Sequence, residues 1–237
     1  NITSLVSKIK NDTEFVERIV KEITVNTSEL FRDPQVWQAL RFNILPRFRN
    51  NNIINIWHAG CSTGQEVYSM MILLQELNLL DKARIYATDI NTDVMAAAKQ
   101  GEYRYRFNLS YLDNFDKVIR ENPFNYEEYK EVPYNTYFAL DKGSDTIRMH
   151  PFLREKPVFK KHDLVTDNNT LYVKFDLILC RNVIIYFNYN LQCRVFDLFH
   201  QSLYDTGCLV LGLHESILGP PSTKFLKRGH AYFKNQP

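Results

Sequence analysis

Past the polar stretch "RNNN" at residues 49–52, short apolar runs and helix-period segments alternate along the chain, and this alternation restricts the possible folds more than any other feature. "IINIWHAG" reads as a strand, Glu66 to Leu77 as a helix, "ARIYATDI" as a strand, and Thr92 to Gln100 as a helix closed by Gly101. Strands separated by helices pair in parallel, with the helices laid over the sheet. The same order returns with the strand "KFDLILCRN", a helix from Tyr189 to Tyr204 capped by Asn188 and stopped near Gly207, and the strand "CLVLGLHE". "HAYFKN" is expected to add one antiparallel strand. The expected class is α/β with a parallel sheet.

The flanking segments carry different signals. Before the boundary, Phe15, Val16, Ile19, Val20 and Ile23 have helical spacing, and Asn11 to Thr13 break that helix from an earlier one. Asp33-Pro34 is read as the cap and first turn of a helix that reaches Leu45 and ends at Pro46. This divides the chain into a helical N-terminal domain over 1–49, open to being a shortened form, and a larger domain over 50–237. Residues 102–135 are read as helices and loops. "NTYFAL", "DTIRMHPFL" and "KPVFKKHDL" are expected to form a small antiparallel subdomain at about 135–162.

Composition narrows the class of partner. A length of 237 residues suits one sizeable core with a small appendage, and 45% apolar with 24% charged residues is a globular balance. A net charge of +2 lacks the basic excess of a nucleic-acid binder. The four cysteines show no CxxC pair and no zinc spacing, so they read as reduced thiols in a cytoplasmic protein, and no metal site is expected. No apolar run approaches a membrane span and no signal peptide opens the chain, although a first residue other than Met leaves room for residues upstream.

The first strand–helix junction selects the ligand. In "WHAGCSTGQEVYS" the bare backbone at Gly60 and Gly64 lets a ligand approach the carboxyl end of the strand. A dinucleotide site wants G-x-G-x-x-G with pyrophosphate against a helix N-terminus. Here Glu66 stands in the first helical turn, where it would repel a pyrophosphate and suit a cationic ammonium group. "ATDIN" puts Asp89 at the end of the second strand, where a carboxylate can take both ribose hydroxyls. Singly, each acid is better explained by the helix dipole or a cap. Together, at the ends of consecutive strands, they point to S-adenosyl-L-methionine, with S-adenosyl-L-homocysteine as product.

"NTSELFRDP", "AGCSTGQEVYS", "ATDIN", "CRNVIIYF" and "LGLHES" occur in that order, and from about Thr24 onward the chain resembles chemotaxis receptor methyltransferases of the CheR type. The resemblance implies a Rossmann-like methyltransferase domain with a small β-subdomain behind a helical N-terminal domain. It implies transfer of a methyl group to glutamate side chains on the cytoplasmic domain of chemoreceptors. Carried over by position, it implies cofactor contacts at Asn26, Ser28, Arg32, Glu66, Asp89, Asp163, Leu164, Arg181 and Asn182, with Tyr186 beside the methyl group. Ser28 replaces the family's usual Thr and keeps the hydroxyl, "QEV" replaces "EEP", and Asp163 replaces a common Asn, removing an amide donor. Family members carry further N-terminal helices, one of them strongly basic; here only Lys8, Lys10, Arg18 and Lys21 are present, scattered.

An ionised glutamate needs alignment with the methyl group rather than a general base, so Arg32 and Tyr186 are the expected catalytic residues. Taken alone, an Arg before Asp-Pro is more often a surface residue and a strand-end Tyr more often packing. His58, His162 and His214 lack metal-ligand spacing and are read as structural. Two rivals stay open: a methyltransferase of another substrate, and a non-catalytic module binding cofactor or peptide. The protein is expected to be a monomer, without membrane insertion, with the receptor's C-terminal tail as a candidate ligand of the β-subdomain.

Overall fold

The computed structural model describes residues 2–23, 28–106 and 108–235. Helices α1 (Ile2–Asn11) and α2 (Thr13–Ile23) break where the sequence predicts, and Asp12 Oδ1 accepts from the Phe15 amide at 2.9 Å to cap the second. Helix α3 (Pro34–Ala39) runs on through a π-helical turn at Leu40–Ile44 and a 3-10 turn at Leu45–Phe48. Pro46 therefore does not end this spiral. It sits in the first positions of the 3-10 turn. Trp37, Leu40, Leu45 and Phe48 bury one side of the spiral.

Strand β1 (Ile54–Ala59) is buried at every position, as expected for a central parallel strand covered on both faces. Helix α4 (Gln65–Glu76), strand β2 (Ala83–Asp89) and helix α5 (Thr92–Gln100) follow. Further along lie β3 (Glu102–Arg104), α6 (Ser110–Phe115), β4 (Phe138–Asp141), β5 (Thr146–Met149), α7 (Pro151–Arg154) and β6 (Val158–Lys161). The chain closes with β7 (Phe175–Cys180), α8 (Tyr189–Ser202), β8 (Leu203–Leu211), β9 (Phe225–Arg228) and β10 (Ala231–Lys234).

The main sheet has seven strands in the order β6-β2-β1-β7-β8-β10-β9. Its first five are mutually parallel, β10 is antiparallel to β8, and β9 is antiparallel to β10. One face, with Ile54, Ile56, Leu177 and Val210, packs on α4 and the α3 spiral. The other, with Trp57, Phe175, Ile178 and Leu209, packs on α8 through Val195, Phe196 and Phe199. The chain moves outward from β1 to β2 and β6, then returns to the far side of β1 as β7. Adjacent β1 and β7 thus form the point of reversal, where open α/β sheets leave a crevice at the strands' carboxyl ends.

The small antiparallel sheet exists, but its membership differs from the expectation for residues 135–162. Its order is β3-β5-β4, so Glu102–Arg104 supplies a strand from a segment read as helix and loop. The third expected strand, Val158–Lys161, instead pairs parallel with β2 at the edge of the main sheet, Tyr86 opposite Val158 through Asp89 opposite Lys161. Mostly exposed and rich in lysine, it carries no apolar alternation to reveal which sheet it joins. Helix α8 ends at Ser202 rather than Tyr204, and β9 is a strand the sequence did not signal.

Candidate functional site

The crevice begins where β1 stops. The amides of Gly60 and Cys61 both donate to the Thr88 carbonyl at 2.8 Å, clasping the loop to the end of β2. Gly60 has a φ of +80°, and a Cβ there would lie 2.5 Å from Val183 Cγ2. The glycine is thus required both by its backbone conformation and by the close approach of the loop after β7. Gly64, at φ +90°, opens α4, and a Cβ on it would meet Ala98 Cβ at 2.8 Å.

Asp89 faces this loop from the end of β2. Its Oδ2 accepts from the Ser62 amide at 2.8 Å and its Oδ1 from the Asn91 amide at 2.9 Å. A carboxylate has about four lone-pair sites, so these backbone contacts leave capacity for a ligand donor. Burial raises the Asp89 carboxyl above its ordinary range, against the opposing pull of backbone N–H groups. The Ser62 hydroxyl beside it is buried and has no hydrogen-bond partner among the described residues.

Glu66, in the first turn of α4, is held from two sides. Oε1 lies 2.8 Å from His58 Nδ1, and Oε2 lies 3.4 Å from Arg181 Nη1. Burial by itself would push Glu66 up, but the hydrogen bonds of His58 and Arg181 and the charge of the Arg181 guanidinium outweigh it and bring its carboxyl below the usual value. The Arg181 side chain is only 2% exposed. Its Nη2 donates to Asp33 Oδ2 at 2.8 Å and to the Arg32 carbonyl at 2.9 Å. Asp33 therefore does not cap α3 with its side chain as the sequence suggested. It has a left-handed backbone, makes no cap hydrogen bond, and its carboxylate meets the arginine instead.

Beyond Arg181 the chain turns sharply, with Asn182 at φ +59°. Glu215, 6% exposed, pins this turn. Its Oε2 accepts from the amides of Asn182 and Gly212 at 2.7 Å each, and its Oε1 from Ile185 at 3.2 Å. The loop carrying Tyr186 is thereby fastened to the end of β8. On the other flank, Asp163 Oδ1 accepts from the Val165 amide at 2.8 Å. That contact needs only an acceptor, which the amide oxygen of an Asn would also supply.

These elements enclose a cleft of about 510 Å³, within the range of small-molecule sites. Ser28, Arg32, Gly60, Glu66, Asp89, Asp163, Leu164, Arg181, Asn182 and Tyr186 all line it. The remaining sequence candidate, Asn26, lies outside the described residues. A second hollow of about 680 Å³ opens beside the small sheet near Glu102, Arg148 and Arg154, and none of the candidates reaches it. The sequence reading missed His58, Asp33 and Glu215 as parts of the site. Asp33 and Glu215 carried a signal, as members of "NTSELFRDP" and "LGLHES".

The donor and acceptor set suits S-adenosylmethionine. Asp89 offers acceptor oxygens for vicinal hydroxyls, Glu66 an anion for an ammonium group, Ser62 a buried hydroxyl unpartnered among the described residues, and Gly60 its backbone at the cleft wall. Among the described residues, no helix is long and apolar enough to cross a membrane and no cluster of His, Cys, Asp and Glu could hold a metal ion.

A family model described as CheR methyltransferase, SAM binding domain, matches residues 26–115 and 117–231. The Pseudomonas putida protein Cher3 is 38% identical over 216 residues, covering 91% of this chain and 74% of that protein. A chemotaxis protein methyltransferase of Listeria monocytogenes is 33% identical over 215 residues, 90% of this chain and 73% of the relative. One of Borreliella burgdorferi is 28% identical over 238 residues, 95% of this chain and 77% of the relative. With its parallel sheet, its cleft at the point of reversal and the family match across both, this chain belongs to the CheR methyltransferase family and is a methyltransferase whose cofactor is S-adenosyl-L-methionine.

Proposed function

We propose that this enzyme methylates the side-chain carboxylates of glutamates on the cytoplasmic domain of chemoreceptors and so tunes bacterial chemosensory adaptation. The observation that carries this reading is the meeting of Arg32 and Tyr186 with Glu66 and Asp89 around one cleft. Two chemotaxis protein methyltransferases among the relatives support it. Asp89 accepts from the cofactor's ribose hydroxyls and Glu66 faces its ammonium group. Ser28, Gly60, Asp163, Leu164, Arg181 and Asn182 complete the proposed binding set, and Asn26 enters by resemblance alone.

When bound, the cofactor supplies a methyl group on a sulfonium, ready for in-line displacement. A glutamate side chain, with a pKa of about 4.3, arrives already ionised near neutral pH, so the site needs no general base. Arg32 holds one oxygen of the incoming carboxylate and leaves the other aimed along the methyl–sulfur axis. Tyr186 lies at the rim, 58% exposed, where a bound acceptor covers its ring and excludes water from the reacting atoms. Orientation of this kind is worth about 7–11 kcal/mol of barrier at its upper range.

The enzyme is read as a cytoplasmic monomer that binds neither nucleic acid nor membrane. Among the described residues β3 and β4 are the outer strands of its small sheet, and such edges support a second contact in which the receptor's C-terminal tail adds as a strand. Such a tether would raise the effective concentration of nearby substrate glutamates. The test is incubation with methyl-labelled cofactor and receptor cytoplasmic fragments, followed by base treatment. Label on the fragments that is released as a volatile methyl product supports glutamate esterification. Base-stable label, or label only on a small molecule, overturns it.

A further inference from the structure

His58 stands one residue before the end of β1 and is fully buried. Its Nδ1 lies 2.8 Å from Glu66 Oε1, and its Nε2 has no hydrogen-bond partner among the described residues. Glu66 can only accept when ionised, so the pairing assigns the proton to Nδ1. A second proton on Nε2 would meet no acceptor. The imidazole thus serves as a rigid donor reaching from the strand to the first turn of α4.

The surrounding charges give this donor a consequence. Besides Glu66, the groups ion-paired at this corner are Arg181 after β7 and Asp33 ahead of α3. Two carboxylates stand against one guanidinium, so the cluster keeps a net negative charge when His58 donates as a neutral ring. The nearby thiols of Cys61 and Cys180 add no charge, because burial, reinforced by the surrounding carboxylates, pushes both well above their ordinary value. A lysine or arginine in place of His58 would hold Glu66 as firmly but cancel that charge. A neutral donor fixes the carboxylate and leaves it anionic.

We propose that His58 is a positioning residue for the methyl-transfer reaction: its Nδ1–H locks the Glu66 carboxylate in the orientation that grips the cofactor's ammonium group while preserving the negative charge that the grip requires. The proposal rests on the reading of Glu66 above.

Calorimetric titration with two probes tests it. S-adenosylhomocysteine carries the ammonium group, whereas 5′-methylthioadenosine keeps the nucleoside and thioether but lacks the amino acid. His58→Leu, similar in size but without a donor, is expected to weaken S-adenosylhomocysteine by about 10- to 100-fold, the value of one hydrogen bond to a charged group. Binding of 5′-methylthioadenosine should change little, and His58→Asn, which keeps an N–H near the Nδ1 position, should recover most of the loss. Unchanged binding of S-adenosylhomocysteine to His58→Leu overturns the proposal, as does an equal loss for both probes, which marks a packing role. If His58→Leu does not fold, His58→Ala with added imidazole makes the same comparison. Recovery of S-adenosylhomocysteine binding alone supports the proposal, and no recovery overturns it. Glu66→Gln separates the two layers. If it leaves S-adenosylhomocysteine binding intact, the Glu66 reading fails; if it weakens binding while His58→Leu does not, only the role of His58 fails.

Discussion

Arg181 Nη2 lies 2.8 Å from Asp33 Oδ2 although the two residues are 148 positions apart in the chain. The contact ties the turn ahead of α3 to the carboxyl end of β7, and the same guanidinium reaches Glu66 on α4 and the Arg32 carbonyl. Arg181→Met removes the cation from two carboxylates at once. It is expected to cost about 3–5 kcal/mol, the usual penalty for breaking a buried pair from one side. Asp33, at 25% side-chain exposure, should cost less as Asp33→Asn, about 1–2 kcal/mol. Denaturant melts of both single variants and the double variant measure the coupling; an Arg181→Met stability within about 0.5 kcal/mol of wild type contradicts this account.

Gly60→Ala should damage the cleft by two routes. The new methyl would approach Val183 Cγ2 at 2.5 Å, and the backbone φ of +80° disfavours any side chain. A loss of about 1–3 kcal/mol in stability is expected, with weaker cofactor binding. Val183→Ala in the same chain removes the collision but not the backbone strain, so it should restore only part of the loss. Full restoration would show that the φ requirement is unimportant.

The two site carboxylates should respond differently to acid. The proposed ribose contact uses ionised Asp89, whose carboxyl burial raises above its ordinary range. Cofactor affinity is then full above that raised value and falls as pH drops through it, earlier than for an ordinary Asp near about pH 4. Glu66, shifted down, stays ionised across the same window. Stability follows the opposite sign at the two groups. Folded Asp89 takes up its proton before the unfolded chain does, so acidification there favours the fold. Glu66 contributes stability above its unfolded value of about 4.3, lost only as pH falls through its lower folded value. Calorimetry from about pH 7 to 4.5 checks this: Asp89→Asn should flatten the affinity profile, and a parallel decline in both proteins would assign it to another group.

Arg32 should matter more for turnover than for cofactor affinity. Its side chain lines the cleft, while its carbonyl does the structural work of accepting from Arg181 and from the Trp37 indole at 2.9 Å each. Arg32→Ala keeps that carbonyl. It is expected to lower kcat/KM for the methyl acceptor by about 100-fold or more, with a much smaller change in cofactor Kd. Collapse of cofactor binding would make Arg32 chiefly a cofactor ligand.

The residues legible from sequence are those whose signal is local. Gly60, Glu66 and Asp89 stand at strand–helix junctions, where one turn of chain shows both a backbone requirement and the charge from which a ligand is proposed. The central strands were equally legible, because burial on both faces writes a continuous apolar run such as "IINIW" into the chain. What depended on partners distant in sequence could not be read this way. Asp33 has the local form of a helix cap, and only the arrival of Arg181 makes it an ion-pair partner. His58 looks like a core histidine until α4 folds back to bring Glu66 within 2.8 Å. Val158–Lys161 was visible as a strand but not as an edge of the main sheet, and Glu102–Arg104 was hidden in a polar segment. Edge strands gain their stability from backbone pairing rather than from a buried face, so their side chains record little of where they belong. Local sequence determined the parallel core and the kind of ligand it suits, whereas tertiary structure decided which charges hold the site, because ion pairs and edge pairing depend on distances that no short stretch of chain encodes.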